Sequence, residues 1–150
     1  MTQTSRNRVL LFASLLLAAS LAFSACSDDD ENEAENTGDA CETPNECYPD
    51  VDHADLAGEV ECMLRVEDGY CTHLCLTDAD CCAVEGECET GIPQVCAPFE
   101  SLPDHRCFLS CEDDIIGEWD ANEYCQEYAH RLFGCRSTGG GSENRRVCMP

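Results

Sequence analysis

Cysteine is the residue type whose chemistry dominates this sequence. The chain has 15 cysteines in 150 residues, and they are densest between Cys71 and Cys96. Cysteines at this density form disulfides in an exported protein or bind metal in a reducing compartment. Zinc sites usually contain C-x2-C pairs, whereas this chain has C-x3-C pairs at Cys71 and at Cys107. We therefore expect disulfides, with no metal site and no cofactor.

The cysteines after position 40 form an even set. We expect all fourteen to be in disulfides, namely Cys41, Cys47, Cys62, Cys71, Cys75, Cys81, Cys82, Cys88, Cys96, Cys107, Cys111, Cys125, Cys135 and Cys148. Their spacing does not assign partners, because fourteen cysteines allow about 135,000 complete pairings. Neighbours such as Cys81 and Cys82 point in different directions, so each should bond to a different loop.

The other reactive side chains lack the spacing of an active site. The chain contains no H-E-x-x-H, G-x-S-x-G, phosphate-loop or C-x-x-C motif, so we expect no catalytic residues and no enzyme activity. Aspartates can accept hydrogen bonds from the backbone of a tight loop, and we expect this of Asp78 and Asp80. The alternative for the acidic clusters near Asp78 and Asp113 is a calcium-dependent binding module.

The charge of the chain limits its partners. The formal net charge is -23, with 31 acidic residues and eight basic ones. All the acidic residues follow position 25, whereas Arg6 and Arg8 precede it. A surface this acidic repels nucleic acid. We therefore expect no nucleic-acid partner, and an envelope protein or a glycan is the alternative that remains.

The first 25 residues have the pattern of a secretory signal peptide. Arg6 and Arg8 precede an uncharged apolar stretch from Val9 to Ala25 that ends in small residues. Residues Phe23-Ser24-Ala25-Cys26 then resemble the lipobox of bacterial lipoproteins. The resemblance implies that signal peptidase II cuts before Cys26 and that its thiol carries a diacylglycerol group. It also implies that membrane lipid, bound through the acylated cysteine, is a partner.

The number of cysteines supports lipidation independently. If Cys26 carries lipid, the remaining fourteen can close completely, whereas an ordinary cut leaves one odd thiol in an oxidising compartment. Two or three acyl chains would anchor the protein stably. Ser27 after the cysteine favours the outer membrane by the sorting rule of enteric bacteria. The sequence leaves open which side of that membrane the protein faces.

The mature chain divides into a tether and one domain. Residues 26–40 combine the lipidated cysteine with an acidic stretch that has no aromatic or branched aliphatic residue, so we expect it to be disordered. Residues 41–150 form the cysteine-rich domain, with weak repeats at 71–96 and 107–148 that both open with C-x3-C. The segment from Gly69 to Cys81 resembles the GxC-xxx-C-xxDxDC motif of cysteine-rich secreted proteins and lipoproteins of myxobacteria. That resemblance implies export and cystine-based folding.

The fold class that we expect is a small, disulfide-rich, mostly irregular domain with short β-hairpins and one short helix. Asp120 is a suitable N-cap, Glu123 completes a capping box, and Gly134 can end the helix, which predicts a helix over about 121–133. The expected function is a membrane-anchored envelope lipoprotein with a cystine-stabilised binding or structural domain. A protease-inhibitor-like domain that presents the loop 91–95 is a further alternative.

Overall fold

The structure is a computed structural model that describes residues 36–88 and 91–150. The predicted signal peptide 1–25, the predicted lipidation site Cys26 and most of the predicted tether lie outside these residues. The last part of the tether, residues 36–40, belongs to the fold. The Gly38 amide donates to the Cys71 carbonyl at 2.9 Å, and the Cys71 amide donates to the Asp39 carbonyl at 2.8 Å. The expectation of disorder is therefore wrong for these five residues.

Short elements of secondary structure carry the cysteines. The strands are β1 (Val60–Cys62), β2 (Cys71–Cys75), β3 (Gln94–Pro98), β4 (His105–Leu109), β5 (Gly134–Ser137) and β6 (Arg146–Met149), and the helices are α1 (Asp113–Ile116) and α2 (Ala121–Tyr128). Single 3-10 turns lie at Pro44–Glu46, Asp78–Asp80 and Gly141–Glu143. In the described part of the chain, no helix has the length and apolar character needed to cross a bilayer.

All strand pairs are antiparallel. A four-stranded sheet has the order β1-β2-β4-β3, and β5 pairs with β6 in a separate hairpin. The prediction of a small disulfide-rich domain with short hairpins is confirmed.

Twelve of the cysteines follow one pairing pattern that occurs three times. We define three cystine units as residues 41–71, 75–107 and 111–148. In each unit the first of these cysteines bonds to the third and the second to the fourth. The bonds are Cys41–Cys62, Cys47–Cys71, Cys75–Cys96, Cys81–Cys107, Cys111–Cys135 and Cys125–Cys148. The remaining bond, Cys82–Cys88, lies within the second unit and outside this pattern.

The hairpins explain why the pattern recurs. The third and fourth cysteines of each unit lie directly opposite one another, as in the pairs Cys62–Cys71, Cys96–Cys107 and Cys135–Cys148. Opposite residues of an antiparallel pair share one face, so the two disulfides of a unit leave the hairpin side by side. The C-x3-C segments therefore join one unit to the next. This grouping differs from the predicted repeats 71–96 and 107–148, in which C-x3-C is the opening.

Helix α2 begins where the sequence predicts but ends early. The Asp120 carboxylate accepts hydrogen bonds from the amides of Asn122 and Glu123, which confirms it as the N-cap. The predicted end at residue 133 is wrong, because the amides of Ala129 and His130 both donate to the Cys125 carbonyl and close the last turn. Gly134 consequently starts β5, and the short helix α1 was not predicted.

The buried apolar side chains form two main clusters. The larger lies mostly in the second and third units and contains an aromatic group formed by Tyr70, Phe99, Phe108 and Phe133. The smaller lies in the first unit, where Tyr48, Val51, Leu56 and Val60 pack against cystine sulfur. Two clusters of this size are small for a chain of this length, so the disulfides contribute much of the stability.

Candidate functional site: an acidic cleft and a buried ion pair

The predicted disulfide residues are all placed in disulfides by the structure. Three groups of cysteine sulfurs lie within 4.8 Å of one another, for example those of Cys41, Cys47 and Cys71. These groups arise because the two disulfides of a unit are adjacent. A sulfur in a disulfide is not a thiolate and has no charge to offer a metal ion.

The acidic residues proposed as calcium ligands have other partners. Asp78 accepts a hydrogen bond from the Cys96 amide at 2.8 Å, and its carboxylate also contacts the Arg145 guanidinium at 3.2 Å. Asp113 forms an ion pair with Arg146. A calcium ion at these positions would therefore compete with guanidinium groups for the carboxylates of Asp78 and Asp113.

Asp80 has the structural role that the sequence predicts. Its carboxylate accepts hydrogen bonds from the amides of Leu76 and Thr77 at 2.9 and 2.7 Å. These two hydrogen bonds, first that of Leu76, hold the pKa of the Asp80 carboxyl below its usual value. The carboxylates of Asp78 and Asp80 thus accept hydrogen bonds from backbone amides that a neighbouring strand would otherwise satisfy.

The segment proposed as a protease-binding loop, residues 91–95, is exposed only in part. Gln94 and Val95 belong to β3, and Ile92, Gln94 and Val95 are all buried. A protease-binding loop must present its side chains to the enzyme. Residues 91–95 therefore present Gly91 and Pro93 to solvent, whereas Gln94 and Val95 lie in the edge strand β3 with their side chains buried.

A surface cleft of about 390 Å³ lies between the first and third cystine units. Its apolar wall includes Leu132, Phe133 and two prolines, Pro49 and Pro150. Four carboxylate residues also line it, namely Asp39, Glu46, Glu67 and Asp68, and the described lining contains no lysine or arginine. An apolar wall beside several carboxylates suits a ligand that is both cationic and partly apolar.

Local backbone geometry positions the residues on two sides of this cleft. Asp68 and Gly69 both have positive φ, at 62° and 76°, and a Cβ at Gly69 would lie 2.1 Å from the Cys41 carbonyl oxygen. Only glycine fits this close approach. On another side, a hydrogen bond from the Glu42 amide lowers the pKa of Glu46 and keeps its carboxylate ionised.

A buried ion pair joins His73, in the segment between the first and second units, to Glu87 in the second unit. His73 Nε2 is 2.7 Å from Glu87 Oε1, and both side chains are fully buried. His73 Nδ1 lies 2.9 Å from the Leu74 carbonyl oxygen. Both ring nitrogens therefore face oxygen atoms, and the pair links two side chains inside the domain.

The surroundings of Glu87 favour its charged form. Burial raises the pKa of its carboxyl, but hydrogen bonds from His73 and from the Val84 amide outweigh burial, and the pKa lies below its usual value. The loop that carries Glu87 is closed by the disulfide Cys82–Cys88. A hydrogen bond from the Asn36 side chain to the Gly86 carbonyl also holds this loop, at 2.9 Å.

Two further buried polar groups complete this network. Thr37 Oγ1 and the Tyr48 hydroxyl are 2.7 Å apart, and the Tyr48 ring meets the His73 ring edge-on at 5.7 Å. Burial raises the pKa of Tyr48, so its hydroxyl stays neutral. The sequence does not predict this network, because His73 and Glu87 are separated by 14 residues and form no motif.

Neither a protein-family model, nor a curated protein, nor a solved structure matches this chain.

Proposed function

We propose that this protein is a bacterial envelope lipoprotein, anchored in the outer membrane through acylated Cys26, whose cystine-stabilised domain binds a partner and catalyses no reaction. The observation that carries this proposal is the cysteine balance. The seven disulfides use every cysteine from Cys41 to Cys148. Cys26 is the odd one left over, and it directly follows the small residues Ser24 and Ala25.

The anchor is tested by the intact mass of protein extracted from the membrane fraction. Alkylation with iodoacetamide before and after reduction counts the free and the bonded thiols. We expect a chain that starts at Cys26, carries acyl groups, and gains fourteen alkyl groups only after reduction. A chain without lipid, or a free thiol before reduction, would contradict the proposal. Cys26→Ser is the matched variant, and it should leave the membrane fraction.

The binding part of the proposal is supported by the acidic cleft. Its four carboxylates and its apolar wall favour a basic segment of an envelope protein over an anionic glycan. The exposed side chain of Leu132 offers apolar contact at the wall of the cleft. Such binding should weaken with salt, because exposed charges are screened.

Titration with two acetylated and amidated peptides, Lys-Leu-Lys-Leu and Glu-Leu-Glu-Leu, tests this choice. We expect amide chemical-shift changes around Gly69 and Phe133 with the basic peptide only. The double variant Glu67→Gln and Asp68→Asn should weaken them, whereas the paired exposed substitutions Glu123→Gln and Glu127→Gln should not. Equal responses to both peptides would overturn the assignment of a basic partner.

A further inference from the structure

The disulfide Cys82–Cys88 differs from the other six in three ways. It lies outside the repeated pairing pattern, and it spans six residues where the others span 21 to 26. Each of the other six has at least one buried cysteine, whereas Cys82 is exposed and Cys88 is half-buried. A bond that closes so short a loop also constrains the unfolded chain least.

We propose that Cys82–Cys88 is a thiol–disulfide exchange site, opened by a dithiol reductant while the twelve cysteines of the three units stay closed. This inference does not depend on the lipid anchor, and it holds whether or not Cys26 is acylated. The site consists of Cys82, which is an exposed residue, Cys88, which is half-buried, and the buried side chain of Gln94 beside Cys88.

Gln94 is the observation that distinguishes this bond from a structural one. Its side-chain Nε2 lies 2.9 Å from Cys88 Sγ, and its Oε1 is buried without a hydrogen-bond partner among the described residues. The residue is only 6% exposed. A buried amide is costly unless its groups are bonded, and a disulfide sulfur is a weak acceptor.

The reduced form satisfies this amide. A Cys88 thiolate accepts a strong hydrogen bond from Nε2, and a Cys88 thiol donates to Oε1 if the amide turns over. Gln94 is therefore placed to stabilise the leaving sulfur when the disulfide is broken. In the oxidised protein, Nε2 of Gln94 donates only to a weak sulfur acceptor, and its Oε1 has no hydrogen-bond partner among the described residues.

The exchange proceeds in two balanced steps. A thiolate of the reductant attacks Cys82 Sγ, forming a mixed disulfide, while the bond to Cys88 breaks and Cys88 leaves with the electron pair as a thiolate next to Gln94. The second thiolate of the reductant then attacks the reductant sulfur that is bonded to Cys82. The reductant becomes a disulfide, and Cys82 is released as a thiolate. Two electrons pass from the dithiol to the cysteine pair, and two protons from its thiols end on Cys82 and Cys88.

Opening this bond would change the buried ion pair. Cys82 has φ of 123°, a conformation that side-chain-bearing residues rarely adopt, so the opened loop can relax. Glu87 is in this loop and is the partner of His73. Reduction therefore frees the carboxylate that covers His73, while Cys81–Cys107 still holds the adjacent chain.

The order of reduction tests the proposal directly. The fully oxidised protein is treated with limiting dithiothreitol, trapped with iodoacetamide, fully reduced, and labelled again with N-ethylmaleimide before peptide mass analysis. We expect Cys82 and Cys88 to acquire the first label about tenfold faster than any other cysteine. First labelling of another pair, or simultaneous labelling of all fourteen, would overturn the proposal.

The variant Gln94→Leu tests the role of the amide. Loss of a hydrogen bond to the departing thiolate should slow reduction of Cys82–Cys88 about tenfold and raise the pKa of the Cys88 thiol, read from thiolate absorbance. The exposed residue Gln126 provides the matched control, since Gln126→Leu should change neither quantity. An unchanged rate in Gln94→Leu would refute the role of Gln94 as a positioning residue.

The double variant Cys82→Ser and Cys88→Ser separates exchange from folding. We expect it to keep six disulfides and the near-ultraviolet circular dichroism of the parent, and to show no early label. Loss of that spectrum would identify the bond as structural and overturn the proposal. Faster hydrogen exchange confined to residues 82–88 in the partly reduced parent would support local opening.

Discussion

The apolar core around Phe108 and the buried polar group of Thr37, Tyr48, His73 and Glu87, which we call the polar cluster, are held by different forces. The apolar core is aromatic and aliphatic, and its ring centroids are about 6 Å apart. In the polar cluster, a hydrogen bond joins Thr37 to Tyr48 and an ion pair joins His73 to Glu87. Apolar contacts do not respond to pH, whereas ionic contacts do. Sensitivity to pH should therefore be greater in the polar cluster.

A substitution in the apolar core should lower the free energy of unfolding most. Phe108→Ala removes a fully buried ring that contacts Tyr70 and Phe99. We expect a loss of about 3–5 kcal/mol in the free energy of unfolding, measured by urea denaturation of the oxidised protein. Leu76→Ala, at an exposed position, is the control and should change stability little. A loss below that range would mean that disulfides alone maintain this core.

A second comparison removes one disulfide from the apolar core and one from the loop that carries Glu87. Replacing Cys125 and Cys148 by alanine should cost about 3.5 kcal/mol, and replacing Cys82 and Cys88 about 2.4 kcal/mol or less, by loop-closure entropy. The bond Cys125–Cys148 spans 23 residues and Cys82–Cys88 spans six. Thermal unfolding of the two variants gives the ranking. The reverse order would show that the short disulfide is essential to the polar cluster.

A smaller effect should follow from loss of one buried hydrogen bond. Thr37→Val keeps the shape of the side chain but leaves the Tyr48 hydroxyl without its partner at 2.7 Å. We expect a loss of about 1–3 kcal/mol, measured by urea denaturation. The same substitution at exposed Thr43 should cost less, because water replaces its hydrogen bond. Equal effects at the two positions would contradict the importance of the polar cluster.

The smallest expected effect is a loss of stability in acid, and it is the effect most specific to carboxyl groups with a lowered pKa. The pKa values of Glu46, Asp80 and Glu87 are lowered in the folded protein from ordinary values of 4.5, 3.8 and 4.5. A lowered folded pKa adds stability above the unfolded value, and this stability disappears as the pH falls through the folded pKa. All three residues lie before residue 90, whereas most of the apolar core lies after it, so acid should act first on the region before residue 90.

Thermal unfolding between pH 7 and pH 2 measures this response. We expect the melting temperature to be nearly constant down to about pH 5 and to fall below it. Glu87→Gln should reduce the fall, because glutamine still accepts from His73 but does not titrate. Glu118→Gln, at an exposed residue, is the control. An identical profile for Glu87→Gln and the parent would exclude Glu87 as a source of the acid response.

Local features of the fold could be predicted from the sequence. The N-cap at Asp120 and the loop hydrogen bonds of Asp80 connect residues no more than four positions apart, so the spacing contains the information. The end of α2 could not be predicted, because both alternatives satisfy local preferences and the Cys125 carbonyl accepts two amides at the observed end. The buried network could not be predicted either, since its four members lie at least 11 residues apart along the chain.

By itself, the sequence determined that sulfur stabilises this protein, because its cysteine content is high and its large apolar residues are few. It also determined the strongly acidic character, which comes from composition alone. Only the tertiary structure decided which cysteines bond, since pairing follows from residues that oppose each other in hairpins. It likewise decided that Arg145 reaches Asp78 across 67 residues and that Gln94 meets Cys88. Contacts between distant segments depend on how the chain packs, and local spacing does not record them.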